Sequence, residues 1–271
     1  MRRPPLPLAP GDVDAGASGP VDSLQRGLEV LRCFGPADNA LDVTEVARRM
    51  ALSRPTTRRL LDTLAQHGFL LRQPDTDQYG LHVACLILGQ AVLGNSALVK
   101  AARQLLPRFA ELFGVYAMTA VQERSDVLVM SVSAPAGAGA SVAGPGVGMR
   151  LPLRSTALGH AWLWAQGVQP QAHWLARLRN EAAGQPGLLA GVYRSFQALE
   201  EQGACQTQGP EPRAPICLAS PVVLPTGAVA MVGCLVSATD GVPEDERLRA
   251  CAAALPELAA RLRAATVKRA A

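Results

Sequence analysis

The stretch VTEVARRMALSRPTTRRLLDTLAQHGFLLR, residues 43–72, is unusually rich in arginine. Within twelve residues and with no acid among them stand Arg48, Arg49, Arg54, Arg58 and Arg59. Residues 1–95 as a whole contain ten Lys and Arg against ten Asp and Glu, so the positive charge is local. Such a cluster can act as a binding surface if the fold presents it on one face.

Apolar spacing and capping residues predict two consecutive helices in this stretch. Asp42 is expected to cap the first helix, with Glu45 reaching back to complete a capping box. Ser53 is expected to cap the second, with Pro55 in its first turn. The predicted buried stripe of the second helix consists of Thr57, Leu60, Leu61 and Leu64.

The outward face of the second helix is basic at its N-terminal end. At 100° per residue, Pro55 and Arg59 point away from the core, with Arg58 to one side. The first turns of a recognition helix enter the major groove of DNA, where arginine pairs with guanine or phosphate. The predicted DNA-binding residues are Arg54, Thr56, Arg58 and Arg59. The alternative, a charged helix face that meets only water, stays open at this point.

The flanking segments complete a three-helix unit with a hairpin. Leu24, Leu28 and Leu31 recur at helical spacing and predict a first, core-facing helix. The segments GFLLR, QPDTDQ and YGLHV, residues 68–83, predict a strand, a turn and a strand. Together these elements predict a winged helix-turn-helix over residues 21–82, followed by a linker helix over 83–97.

The chain resembles the IclR family of bacterial transcription regulators. The likeness rests on SLQRGLEVLRCF (23–34), VTEVARRMALSRPTTRRLLDTLAQHGFL (43–70) and YGLHVACLILG (79–89), and continues through VGMRLPLRSTALGHA (147–161) and GACQTQGPEPRAPICLASPV (203–222). The form SRPTTRRLLDTL is most similar to the branch that controls aromatic-acid catabolism. The resemblance implies an α+β protein that binds a DNA operator and responds to a small organic acid through a GAF-like effector and oligomerisation domain, residues 98–266.

The chain departs from the family pattern in three segments. Ala51 stands in the turn between the two helices where glycine is usual, and a positive φ there would cost alanine about 1 kcal/mol. The wing tip carries Asp75 and Asp77 in place of basic residues. Ahead of Cys217, Glu211 is the one acid of a segment that commonly holds several.

Composition limits the remaining functions. Residues 1–20 are rich in Pro, Gly and Ala and are expected to form a disordered arm. The sequence contains no run of eighteen apolar residues and no secretory signal pattern, which predicts a cytoplasmic protein with no membrane partner. The six cysteines form no CxxC pair and lie at no ligand spacing from histidine, so we expect no disulfide framework, metal or cofactor.

The second half is expected to alternate strands and helices. The predicted elements are a long helix over 96–114, two strands over 115–133, helices over 156–166 and 187–202, strands over 214–223 and 227–237 and a terminal helix. This order predicts an antiparallel sheet with helices on its faces.

One helix start in this half is suited to an anion. Thr156 is a predicted N-cap that leaves the amides of Ala157 and Leu158 free for a carboxylate, and small residues beside it would leave room. The family resemblance implies a ligand here, next to the cysteine-bearing strand. The predicted effector-binding residues are Ala140, Ala143, Thr156, Ala157, Leu158, Cys217 and Cys234. The alternatives are a threonine that only caps its helix and cysteines that only fill the core.

Three functions remain open. A ligand-responsive transcription regulator is favoured, and a small-molecule sensor with a degenerate DNA-binding half is the second. An enzyme is the third, but GASVA (139–143) only half-matches a nucleophile elbow, GPGVGM (144–149) is not a nucleotide-binding loop, and no catalytic residues are predicted. We expect a dimer or tetramer, paired through an apolar stripe formed by Leu86, Ile87, Ala91 and Val92.

Overall fold

The computed structural model describes residues 21–35, 38, 40–137, 144–181, 186–211, 214–237 and 244–267. The predicted arm and the predicted effector residues Ala140 and Ala143 lie outside this range. The chain divides into two compact units between Leu93 and Gly94. The predicted α+β class is confirmed.

The N-terminal unit is a winged helix-turn-helix. Its elements are α1 (Asp22–Leu31), β1 (Leu41–Asp42), α2 (Val43–Met50), α3 (Arg54–Gln66), β2 (Leu70–Arg72), β3 (Gln78–Leu81) and most of α4 (Cys85–Asn95). The three strands form an antiparallel sheet in the order β1-β3-β2. The two-residue β1 was not expected from the sequence, since a strand this short has no alternation to detect.

The predicted helix caps of this unit are confirmed. The side chain of Asp42 accepts a hydrogen bond from the Glu45 amide at 2.8 Å, and the hydroxyl of Ser53 accepts one from the Thr56 amide at 3.4 Å. Ala51 ends α2 with φ 53° and ψ 41°, in the left-handed region. The turn therefore does require a positive φ, and alanine adopts it at a conformational cost.

The contact of α1 with the core differs from the prediction. Leu24 and Leu28 are 62% and 51% exposed, whereas Val30 is fully buried and Phe34 nearly so. Helix α1 thus packs through its C-terminal end, where Leu31 is partly buried against the core as predicted. The prediction of a core-facing side chain is wrong for Leu24 and Leu28, which leave apolar surface on the outside of the unit.

Helix α4 is apolar but uncovered. None of its residues is buried, and Leu86, Ile87 and Val92 are 60%, 70% and 59% exposed. No single helix in the described part of the chain is long and apolar enough to cross a membrane, and α4 reaches such length and composition only together with the helix after it, across a break.

The C-terminal unit is a helix-flanked antiparallel sheet, as predicted. Its elements are α5 (Ala97–Phe113), β4 (Tyr116–Glu123), β5 (Asp126–Ser133), β6 (Arg150–Pro152), α6 (Ala157–Trp164), α7 (Val168–Glu181), α8 (Pro186–Gln202), β7 (Cys205–Gln208), β8 (Ile216–Val223), β9 (Val229–Val236) and α9 (Glu244–Val267). The strand order is β6-β5-β4-β9-β8-β7. Helices α5 and α9 bury one face of the sheet, and α6 and α8 bury the other.

Three elements of this unit were not predicted. Of the side chains described in α7, Leu178 alone is buried, so this helix carries no clear apolar stripe. Strands β6 and β7 are three and four residues long and lie at the two edges of the sheet. Edge strands this short show too little alternation to be recognised in a sequence.

Candidate nucleic-acid interface and effector site

Two arginines of the basic cluster, Arg48 and Arg49, are paired with acids of the N-terminal unit. The Arg49 guanidinium donates to the Asp38 carboxylate at 2.9 and 3.0 Å, to Glu45 at 2.6 Å and to the Cys33 carbonyl at 2.6 Å. Arg48 also donates to Glu45, at 2.7 and 2.8 Å. Hydrogen bonds from Arg48 and Arg49 lower the pKa of the Glu45 carboxyl to about 2. Both oxygens of Glu45 face these arginines, so Asp42 provides the cap without the reciprocal half of the predicted capping box.

A third arginine is held by the wing. Asp77 accepts hydrogen bonds from Arg58 through both carboxylate oxygens, one of them at 3.2 Å. It also accepts from the Nε and Nη2 of Arg72 at 2.9 and 2.6 Å. These two partners lower the pKa of Asp77 to about 2, so the acid is ionised at neutral pH. Asp77 therefore joins the side of α3 to the turn of the hairpin.

The two remaining arginines lie at the start of α3. Arg54 donates to the hydroxyl of Thr44, near the start of α2. Arg59 is exposed, and among the described residues it has no ion pair and its guanidinium has no hydrogen-bond partner. The hydroxyl of Thr56 lies 2.8 Å from that of Ser53. In the described unit, Arg59 is thus the arginine of the cluster with an unengaged guanidinium on the outward face of α3.

The predicted effector site contains its expected cap. The Thr156 hydroxyl accepts from the Gly159 amide at 3.3 Å and donates to the Pro152 carbonyl at 2.8 Å. The expectation that the next two amides are free is wrong. The Ala157 amide donates to the Thr207 hydroxyl at 2.9 Å, and the Leu158 amide faces the Cys217 thiol, whose pKa it lowers. Thr207 lies 50 residues after Ala157, and Cys217 lies 59 residues after Leu158. Sequence spacing alone does not bring residues so far apart together.

A row of partly exposed side chains crosses the sheet beside this helix start. Tyr116 pairs with Leu235, Leu235 with Cys217, and Cys217 with Thr207, on the neighbouring strands β4, β9, β8 and β7. All four are intermediate in exposure. Burial raises the pKa of the Cys217 thiol to about 12, against the opposing effect of the Leu158 amide. The thiol therefore stays protonated and uncharged where it borders the site, since a thiolate is disfavoured there.

Cys234 does not belong to this row. It is fully buried in the core formed with α5 and α9, which also contains Cys251. Successive side chains of a strand point to opposite faces of the sheet, and its neighbour Leu235 packs on the α6 face. The prediction that Cys234 lines the cavity with Cys217 is therefore wrong.

A buried histidine ties α6 to α8. The Nδ1 of His160 lies 2.8 Å from the Ser195 hydroxyl, and its Nε2 lies 2.9 Å from the Arg154 carbonyl. A carbonyl can only accept, so Nε2 carries the proton and Nδ1 accepts from Ser195. Burial lowers the pKa of His160, which keeps it neutral. Ser195 is only 4% exposed, so this pair has a packing role.

Residues 23–74 match the IclR helix-turn-helix domain. The fold is similar to that of an IclR family transcriptional regulator from Brucella abortus, with a TM-score of 0.80, 27% identity, and coverage of 93% of this chain and 96% of that one. The protein is a homologue of the IclR-family regulators.

Curated relatives of this IclR homologue are named as regulators. It is 27% identical over 176 residues to the HTH-type transcriptional regulator TsaQ1/TsaQ2 of Comamonas testosteroni. This alignment covers 65% of this chain and 63% of the relative. It is 28% identical over 207 residues to the Pca regulon regulatory protein of Pseudomonas putida, covering 74% and 70%. The alignment thus spans less than two thirds of TsaQ1/TsaQ2.

Proposed function

We propose that this protein is a transcription regulator that binds double-stranded DNA through α3 and responds to a small organic acid in its C-terminal unit. The observation that carries the DNA-binding proposal is the exposed, unengaged Arg59 on the outward face of α3, in a fold of the IclR helix-turn-helix type. We infer that the protein acts as a regulator and not as an enzyme, since the relatives named above are regulators. We also propose a cytoplasmic location, which the proposed DNA-binding role supports.

Arg59 is proposed as the principal contact, with Arg54 and Thr56 beside it. The fourth predicted contact, Arg58, is held by Asp77 and is not proposed as a phosphate contact in the wild-type protein. Mobility-shift titration on the DNA upstream of its own gene tests this proposal. Arg59→Ala should weaken binding by about 1–3 kcal/mol if Arg59 reads a base, with relaxed specificity at one position. If Arg59 contacts a phosphate, the loss should be similar on all sequences.

Arg48→Ala is the matched control, because it removes the same charge from α2, where Arg48 is already paired with Glu45. We expect a smaller loss of affinity from it. Equal losses in both variants would contradict a specific role for Arg59. Wild-type protein that binds its acid but no operator would instead be a sensor with a degenerate DNA-binding half.

The acid is proposed to bind at the start of α6. Thr156, Ala157, Leu158 and Cys217 remain the proposed contacts from the sequence, and the structure adds Thr207. A carboxylate would replace the neutral Thr207 hydroxyl at the Ala157 amide, and charge-assisted hydrogen bonds at a helix N-terminus are stronger than neutral ones. The likeness of SRPTTRRLLDTL to the aromatic-acid branch favours an aromatic or ring-cleavage acid.

Thermal denaturation with a broad panel of acids tests this site. A bound acid should stabilise the protein by about 2.7 kcal/mol at a hundredfold excess over Kd, and neutral analogues much less. Cys217→Met fills the row and should abolish the shift. Its neighbour Ile216 packs on the opposite face of the sheet, so Ile216→Met should keep the shift. A full response from Cys217→Met would contradict the proposed site.

A second copy of the chain is proposed to cover α4. The helix is apolar and exposed along its length, and burial of such surface favours association. A dimer or tetramer also suits DNA recognition, since paired half-sites give specific affinity that one winged helix lacks. The proposed organisation is an arm at 1–20, a DNA-binding domain at 21–82, a linker helix at 83–97 and an effector and oligomerisation domain at 98–266.

A further inference from the structure

The wing turn presents an acid to two arginines. Asp77 binds Arg58 of α3 and Arg72 of β2 at the same time, and these hydrogen bonds use both of its oxygens. Asp77 itself has φ 51°, a conformation that aspartate and asparagine tolerate better than most residues. The turn geometry therefore holds the carboxylate between the two guanidinium groups.

This cluster lies on the surface proposed to meet DNA. A groove of about 610 Å³ runs between the starts of α2 and α3 and the wing, and it is bordered by Thr44, Arg54, Arg58, Thr76 and Asp77. The side chain of Arg58 is 41% exposed and that of Asp77 is 44% exposed. A phosphate entering the groove would meet Arg58 already paired with an anion.

We propose that Asp77 sets the ratio of specific to non-specific DNA binding by keeping Arg58 and Arg72 out of phosphate contacts. Non-specific affinity comes almost entirely from phosphates neutralised by Lys and Arg. An internal carboxylate that occupies two arginines removes their share of this affinity. Operator binding is less affected because base-edge contacts add to it. This role rests on the proposed DNA-binding function.

The test compares two acids of one hairpin turn. Asp77→Asn removes the charge, and asparagine can keep the positive φ. Asp75→Asn makes the same charge change two residues away, at an exposed side chain with no partner among the described residues. Affinities for an operator duplex and a scrambled duplex are measured by fluorescence anisotropy from 50 to 200 mM salt. Circular dichroism verifies that each variant is folded.

Asp77→Asn should bind the scrambled duplex more tightly than wild type, with a smaller ratio of operator to scrambled affinity. The slope of log K against log salt should steepen by about 0.9 per arginine that gains a phosphate, which is about 3.5-fold more loss of affinity between 50 and 200 mM for each. Asp75→Asn should change both quantities much less. In an Arg58→Ala background, Asp77→Asn should increase the affinity for the scrambled duplex by less, because only Arg72 can then gain a phosphate contact.

Equal effects of Asp77→Asn and Asp75→Asn would overturn the proposal, because the effect would then be one of net charge. Weaker binding of the scrambled duplex by Asp77→Asn would overturn it as well, since Asp77 would then orient the arginines for phosphate contact. Failure of wild-type protein to bind either duplex would refute the DNA-binding function itself.

Discussion

Gly159, the third residue of α6, sits against the backbone that precedes its helix. A Cβ at this position would lie 1.9 Å from the Leu153 carbonyl oxygen and 2.5 Å from the Leu153 carbonyl carbon and Cα. Close C···O contacts in proteins are about 3.3 Å, so in Gly159→Ala the new Cβ and the Leu153 carbonyl oxygen must move apart by about 1.4 Å. Backbone atoms in a packed interior cannot yield as a flexible side chain does. We expect Gly159→Ala to lower the free energy of unfolding by about 3 kcal/mol or more, at the upper end of the range for overpacked cores.

Gly191 in α8 is the matched control. A Cβ there would meet no atom within 4 Å, so Gly191→Ala should stabilise the helix by about 0.8–1 kcal/mol through helix propensity. The three tryptophans of the chain are Trp162, Trp164 and Trp174. All belong to the C-terminal unit, so tryptophan fluorescence in urea reports on that unit. Wild-type stability in Gly159→Ala, or equal losses in both variants, would refute the packing described for α6.

Three further predictions concern other parts of the molecule. Ala51→Gly should stabilise the N-terminal unit by up to about 1 kcal/mol, because it relieves the left-handed φ at some entropic cost; lower stability in circular dichroism melts would contradict this. Burial lowers the pKa of His160, so the folded state binds fewer protons, and stability should be full above the unfolded pKa of about 6.5 and fall as pH drops below it. The loss of stability between pH 7 and 5 should be smaller in His160→Gln. An unchanged pH dependence in this variant would contradict the role of His160. Ile87→Asp should yield a monomer by light scattering at micromolar concentration, whereas Val168→Asp, which changes an 82% exposed residue, should not; an unchanged assembly in Ile87→Asp would exclude α4 as the interface.

Local sequence signals were sufficient to predict most of the helices and strands. The caps at Asp42, Ser53 and Thr156 and the alternation of β4 and β5 predict where these helices and strands begin. Such features depend on residues within one turn or one hairpin, so their chemistry is complete in the local sequence. The elements that were missed are α7 and the short strands β1, β6 and β7, whose stability comes from the neighbours on which they pack.

The site residues were predicted less accurately than the helices and strands. Arg59 was expected on the outward face of α3 and is there, and Thr156 caps α6 as expected. Cys217 and Cys234 were expected in one cavity, but a strand places side chains on alternate faces. Assigning those faces requires the register between strands, which the sequence did not provide.

The sequence by itself determined that α3 would carry arginines at its N-terminal end on a winged helix-turn-helix, because helical periodicity and capping are local properties. Only the tertiary structure decided which of the five arginines remain available. Arg49 is held by Asp38, eleven residues away, and Arg58 by Asp77, nineteen residues away. Charges interact through space with a strength that depends on distance and burial, so the partner of each guanidinium is set by the folded arrangement of loops and wing.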